Sequence, residues 1–205
     1  MESAVDFQRK LDTILRHYGA LAVAVSGGMD STFLAFCAKK ILGDKMRAIS
    51  VRSAFSIESE LKLFSDFARR HNINHSIIDV EILNNQDVIR NGADRCYHCK
   101  KAMFKDIVEC AARHGFDIVA DGSNISDMDD YRPGMKALEE LGVVSPLKAA
   151  GFMKSDIIHA IRSQGIDIPI AHPNSCLATR IAYGTQINVR LLDMIGEAEK
   201  VLLEL

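Results

Sequence analysis

No run of about eighteen apolar residues occurs in this 205-residue sequence, so nothing in it reads as a membrane-spanning helix. Neither sign of charge is in large excess. Twenty-five Lys and Arg oppose 27 Asp and Glu, and the resulting net charge of −2 gives no general attraction to nucleic acid. The one local basic stretch is Arg90, Arg95, Lys100, Lys101 and Lys105. Met1-Glu2-Ser3 lacks the charged-then-apolar layout of a signal peptide, which points to the cytoplasm. Internal repeats and low-complexity tracts are also missing. Apolar residues are plentiful: 48% of the chain, enough at this length for one substantial core. Five cysteines in a cytoplasmic setting favour metal binding or catalysis over disulfides.

Strand-like runs at Leu21–Val25, Met46–Val51, His75–Val80 and Asp117–Ala120 alternate with helical stretches at Thr32–Leu42, Glu58–Arg70 and Tyr97–His114. An amphipathic helix over residues 2–18, with Val5, Leu11, Ile14 and Leu15 on one side, precedes them. This alternation predicts an α/β fold: an open parallel sheet flanked by helices, with ligands beyond the carboxyl ends of its strands. Two segments fall at that edge, Ser26-Gly27-Gly28-Met29-Asp30-Ser31 and Asp121-Gly122-Ser123-Asn124. In the first, paired glycines let the backbone approach a ligand, and the N–H groups opening the next helix suit phosphate. Ser26 and Ser31 add hydroxyl donors, and Asp30 is placed to hold a cation or orient a nucleotide. A Walker loop would carry a lysine, and none follows here.

The cysteines divide into two groups. Arg95-Cys96-Tyr97-His98-Cys99-Lys100 sets a Cys-x-x-Cys pair at a helix start, where the dipole and flanking cations favour thiolate. A third thiol, Cys176, stands in the turn-like stretch Pro173–Arg180, whereas Cys37 and Cys110 fall inside amphipathic helices as core thiols. Three readings stay open: zinc with His98 or His172 as fourth ligand, a three-cysteine 4Fe–4S cluster, or a redox pair of Cys96 and Cys99. The last stretch, Asn188–Leu205, is helical, with Leu191, Ile195, Ala198, Leu202 and Leu205 as one apolar seam. Packing of this seam on the core is expected, with a homo-oligomer contact as the alternative. Near Asp121, the residues Asp127, Asp129 and Asp130 make an acidic loop able to bind a cation or simply to be solvated.

The combination of SGGMDS, RCYHCK, Asp129-Asp130-Tyr131-Arg132-Pro133-Gly134 and SCLATRIAYGT resembles the LarE sulfur transferases of the PP-loop ATP pyrophosphatase superfamily. The resemblance implies ATP and Mg²⁺ at Ser26, Gly27, Gly28, Asp30 and Ser31, and adenine near Val51–Ser53. It also places Asp121, Arg132 and Arg180 among the nucleotide or anion contacts. It implies adenylation of a small-molecule carboxylate, a pyridinium mononucleotide in that family, with release of pyrophosphate. Sulfur then replaces the adenylate to give a thiocarboxylate used in nickel-pincer cofactor synthesis, with the sulfide donor left open. One branch sacrifices a lone cysteine matching Cys176. Another holds a 4Fe–4S cluster on cysteines matching Cys96, Cys99 and Cys176, and the presence of all three here matches that branch. Cys176 and Asp30 are therefore the expected catalytic residues. Members of the family continue into a small C-terminal domain. The expected division is thus a nucleotide-binding domain over 1–187 and a helix over 188–205, with that extra domain absent or truncated.

Other classes fit part of the pattern. A PP-loop amide ligase would share the phosphate loop but has no use for a reachable cysteine triplet. A zinc-stabilised adenine-nucleotide-binding module would use the cysteines structurally. A tRNA thiolase would combine loop and cysteines, but the chain has no evident basic RNA-binding appendage.

Overall fold

The computed structural model describes residues 4–127, 133–168 and 176–203. Strands β1 (Leu21–Ala24), β2 (Met46–Arg52), β3 (His75–Asp79) and β4 (Val119–Ala120) form one parallel sheet in the order β3-β2-β1-β4. Val23 of the central β1 stands opposite Ala48 on one side and Ala120 on the other. A parallel sheet needs both faces covered, and the alternation along β1 shows how this is met. Leu21, Val23 and Val25 enter one core layer with Leu11, Leu15, Phe33, Phe64, Phe67 and Phe152. Ala22 and Ala24 enter the other with Phe104, Ile107 and Leu138.

Helices α1 (Ala4–Tyr18), α2 (Met29–Leu42), α3 (Glu58–Arg70) and α8 (Lys154–Ser163) supply the first layer. Helix α5 (Arg95–Arg113) and α6 (Pro133–Glu140) supply the second. Two short helices, α4 (Gln86–Ile89) and α7 (Pro146–Ala150), and the terminal α9 (Val189–Leu203) complete the described elements. A third apolar cluster lies apart from the sheet. There Phe55, Ile82 and Val88 meet Leu177, Ala178, Ile181, Ile187 and Leu192. This cluster docks the Cys176 segment against chain that leaves β2 and β3.

Several expectations shift. The strand expected over Asp117–Ala120 is only Val119–Ala120. Val143–Leu147 contributes a single parallel bridge, Ala120 to Val144, because Pro146 opens α7 and ends the extended chain. Helix α2 begins at Met29 rather than Thr32, so Asp30 lies in its first turn and not on a free loop. The apolar seam of α9 docks in part. Leu191 and Ile195 are half-buried on the third cluster, and the unexpected Leu192, at 3% exposure, is the buried residue that α9 adds to it. Ala198 is exposed, and Leu202 stands 69% exposed, past the end of that small cluster. Cys37 and Cys110 are buried as expected, and burial pushes the Cys37 thiol up to about 12. No helix among the described residues is long and apolar enough to cross a membrane.

Candidate active site

Because the strands are parallel, the loops after β1, β2, β3 and β4 all open at one edge of the sheet. After β1 the chain turns through Gly27 at φ +87°, a left-handed conformation that a side chain would strain. A Cβ there would also stand 3.0 Å from the carbonyl oxygen of Glu60, so α3 packs against the loop backbone. The Gly28 carbonyl accepts from Thr32 Oγ1 at 2.8 Å and from Ser31 Oγ at 3.1 Å, fixing the first turn of α2. Ser26 Oγ lies 3.4 Å from Ser31 Oγ and accepts from the Gly28 amide at 3.3 Å. The result is a short concave run of backbone amides and two hydroxyls at a helix N-terminus, a geometry suited to phosphate oxygens.

The loop after β4 closes on this one. A Cβ on Gly122 would stand 2.7 Å from both Cα and N of Ser31, so only glycine permits the contact. Asn124 is buried, donates from Nδ2 to Asp30 Oδ2 at 3.1 Å, and thereby holds the Asp30 carboxylate in place. Asp121 is 4% exposed, and both its oxygens are engaged, one by Ser123 Oγ and one by Ser145 Oγ at 2.6 Å. As placed, it braces the loop rather than facing a ligand. Ser53 likewise serves its own turn: its amide donates to Ser56 Oγ at 3.0 Å and its hydroxyl accepts from the Phe55 amide. Arg132, Asp129, Asp130 and His172 lie outside the described residues.

Arg180 is drawn to α9, with Nε 2.5 Å from Glu199 Oε1, so as placed it makes an internal ion pair. Glu199 also faces Glu60, and burial together with that like charge raises the Glu60 carboxyl above its usual range. The expected basic stretch is not a free cationic surface. Arg95 is only 3% exposed, Arg90 pairs with Asp87, and Lys101 pairs with Glu140 at 2.6 Å.

The cysteines come from two distant segments. Cys96 and Cys176 are exposed and Cys99 is half-buried. Desolvation, then the charges of Cys176 and Cys96, pushes the Cys99 thiol up to about 12, against a lowering influence of Arg95. Desolvation also raises the Cys176 thiol, opposed by the Ala178 amide and Arg95 and reinforced by Cys96. All three thiols are therefore neighbours of one guanidinium, Arg95, whose Nη2 lies 3.8 Å from Cys96 Sγ. Among the described residues, no three His, Cys, Asp or Glu side chains stand at ligating distances as placed. His98 does not turn to the thiols. Its Nε2 meets Asp94 Oδ2 at 3.1 Å and its Nδ1 faces Asp87, so as placed it is engaged by carboxylates. The donors that the described site offers are three thiols beside the buried Arg95 cation.

Asn91 and Ser145 escaped the sequence reading, and the contacts of Gly122 and Asn124, within a segment placed at the ligand edge, were not foreseen. Only Asn91-Gly92 carried a local signal, since that dipeptide marks a turn with positive φ. The others matter through contacts far along the chain.

A family model described as Queuosine biosynthesis protein QueC matches residues 20–106. An uncharacterized protein of Synechocystis sp. is 31% identical over 195 residues, covering 94% of this chain and 73% of the relative. The pyridinium-3,5-bisthiocarboxylic acid mononucleotide synthase of Lactiplantibacillus plantarum is 29% identical over 189 residues, 92% of this chain and 68% of that protein. Among solved structures, the U34-tRNA thiolase NcsA from Methanococcus maripaludis, with its [4Fe-4S] cluster, superposes with a TM-score of 0.61 at 15% identity. It covers 97% of this chain and 74% of that one, a likeness of fold.

Proposed function

The chain belongs to the LarE-type branch of the PP-loop ATP pyrophosphatases, a group of ATP-using enzymes, and from that premise we propose that it is an ATP-dependent sulfur transferase acting on a small-molecule carboxylate. The substrate carboxylate attacks the α-phosphorus of ATP, giving an acyl adenylate and pyrophosphate. Sulfide then displaces AMP, giving a thiocarboxylate. AMP leaves where hydroxide would not, which is why a carboxylate must be activated first. The observation that supports the reading is that Cys96, Cys99 and Cys176, from two distant segments, all neighbour Arg95 at the start of the helix that follows β3.

Each residue has a defined task. The amides after Ser26 and the hydroxyls of Ser26 and Ser31 hold phosphate oxygens, while Asp30, steadied by Asn124, would hold Mg²⁺, which would offset the charge developing on the leaving pyrophosphate. Cys96, Cys99 and Cys176 would hold a 4Fe–4S cluster, which supplies the transferable sulfide. Arg95 places a buried positive charge beside the three thiols and so favours their deprotonation for ligation. Arg180 and Arg132 are the candidate anion contacts, Arg180 by exchanging Glu199 for the substrate. The relative named for a pyridinium bisthiocarboxylic acid mononucleotide supports a pyridinium mononucleotide acceptor, and the proposal extends to nickel-pincer cofactor synthesis in the cytoplasm. A small-molecule acceptor is favoured over tRNA by the relative named for a mononucleotide product, and Arg95 of the basic stretch is buried on internal partners.

The test is anaerobic purification followed by assay of iron, acid-labile sulfide and thiocarboxylate formation. The proposal expects about four irons per chain and loss of both iron and transfer on replacing any one of the three cysteines by alanine, with ATP binding kept. A colourless, zinc-loaded chain with no sulfur activity would refute it.

A further inference from the structure

The segment that carries Cys176 has little structure of its own. After Cys176 comes one 3₁₀ turn, Leu177–Arg180, and then irregular chain up to α9 at Val189. What registers it is a single buried side chain. Asn91 is 0% exposed and sits at φ +54°, a left-handed conformation that Asn tolerates better than most residues. Its Nδ2 donates to the carbonyls of Ile181 at 3.3 Å, Ala182 at 2.8 Å and Thr185 at 3.1 Å. Its own carbonyl accepts from the Gly184 amide at 2.9 Å, and the neighbouring Ile89 carbonyl accepts from Ile187 at 2.8 Å. Asn91 Oδ1 accepts from Arg95 Nη1, which also donates to the Ala178 carbonyl at 2.8 Å. Arg95 is the first residue of α5 and lies next to Cys96. Three carbonyls on one side and a guanidinium on the other leave the amide one orientation.

We propose that Asn91, acting with Arg95, is the positioning residue that holds the Cys176 segment in register with Cys96 and Cys99, so that the three thiols engage a ligand together. It rests on the reading above that they act as one set. Every bond from Asn91 to the Cys176 segment falls between Ile181 and Thr185, and Arg95 bridges from it to Ala178, two residues from Cys176. Three bonds from one buried side chain, with Arg95 as a bridge, tie the segment to the start of α5. Without the side-chain bonds, the chain carrying Cys176 keeps the apolar contacts of Leu177, Ala178, Ile181 and Ile187, the two amide bonds to Asn91 and Ile89, and the Arg180–Glu199 pair, none of which fixes the Ala178–Ala182 carbonyls.

Arsenous acid is a direct probe, since each molecule condenses with three thiols and releases three waters, whereas phenylarsine oxide condenses with two and releases one. Cys37 and Cys110 are buried and do not compete. With the full chain reduced and free of metal, mass spectrometry should show wild type taking one arsenic with loss of three thiol hydrogens, and Cys176→Ser reverting to two-thiol capture. Asn91→Asp keeps the shape and the Arg95 partner but replaces the donor with an acceptor facing three carbonyls. Asn91→Gly keeps the left-handed backbone and removes the side chain. Both should lose three-thiol capture, weakening arsenous acid binding by about tenfold or more as the third link is lost. Phenylarsine oxide capture by Cys96 and Cys99, ATP binding and cooperative melting should persist. In wild type the amides of Gly184 and Ile187 should exchange with solvent as slowly as those of α5.

Three results would overturn the assignment: unchanged three-thiol capture in both variants, loss of two-thiol capture along with it, or fast exchange at Gly184 and Ile187. Arsenic capture needs neither ATP nor sulfur transfer. A chain that behaves as expected here yet forms no thiocarboxylate would refute the proposed function and leave the role of Asn91 standing.

Discussion

Replacing Gly122 with alanine should damage the phosphate loop from outside it. The added methyl carbon would stand 2.7 Å from Cα and N of Ser31 and 3.0 Å from its Cβ. Relaxed carbon contacts are about 3.5–4.0 Å, so the loop after β4 and the first turn of α2 must separate by close to about 1 Å. Neither side yields by rotating a side chain, because two of the three atoms met belong to the backbone. Helix α2 is anchored by Phe33 and Leu34, both fully buried, and Ser31 is tied to Gly28 and Ser26. Overpacking of this kind costs about 1–3 kcal/mol, or a melting temperature lower by about 2–10 °C for a chain of this size. Displacing the phosphate-binding atoms by such a distance should slow pyrophosphate release by about 100-fold. Differential scanning fluorimetry and a coupled pyrophosphate assay read the two effects. If the variant melts lower but releases pyrophosphate at the wild-type rate, the contact is structural only, and the link from this loop to phosphate binding is wrong.

Asp30→Asn keeps the shape of the side chain and removes its charge, so pyrophosphate release should fall by about 10²–10³-fold. Its melting temperature should stay near wild type, and a fully active variant would remove Asp30 from metal binding. Leu192→Ala should cost about 2–5 kcal/mol of local stability, read by urea unfolding or proteolysis of α9, whereas Leu202→Ala should lie within about 0.5 kcal/mol; equal effects would contradict the half-docked α9. His75 packs edge-on against Phe64 at 4.9 Å and pairs with Ser50 at 2.9 Å, and burial pushes its ring down to about 4. A base whose folded pKa is depressed contributes stability above its unfolded value, near 6.5, and loses it as pH falls from there toward 4. Urea midpoints should thus show a loss on the order of 1–2 kcal/mol between pH 7 and pH 4.5. His75→Gln should flatten that slope, and an unchanged slope would place the acid sensitivity elsewhere.

The sheet and its ligand edge were legible because their signals are local. Apolar runs such as Leu21–Val25 are bounded by turn residues, and the glycine pair sits where strand meets helix. Element ends were less so. Val119–Ala120 is short because it pairs with β1 over only two residues, a tertiary limit with no trace in local pattern. The seam on α9 misled for a similar reason: periodicity gives the apolar side of a helix but not how far its partner extends, and here the partner ends before Leu202. Within the site, residue types pointed to Ser26, Asp30 and the three cysteines. The supports of the site were hidden. Asn124 reaches Asp30 from 94 positions away, and Asn91 reaches Thr185 across the same separation. Arg95, read as surface charge, is buried because its cation bonds Asn91 and the Ala178 carbonyl.

The central claim is that this chain activates a carboxylate by adenylation. It is tested most directly by supplying ATP and an acceptor labelled with ¹⁸O in its carboxylate, then analysing the nucleotide products by mass spectrometry. Attack of the carboxylate on the α-phosphorus followed by displacement at the acyl carbon must leave one labelled oxygen on phosphorus. The account predicts unlabelled pyrophosphate and AMP carrying one ¹⁸O, in step with thiocarboxylate formed. ADP with inorganic phosphate, or AMP free of label, would contradict it.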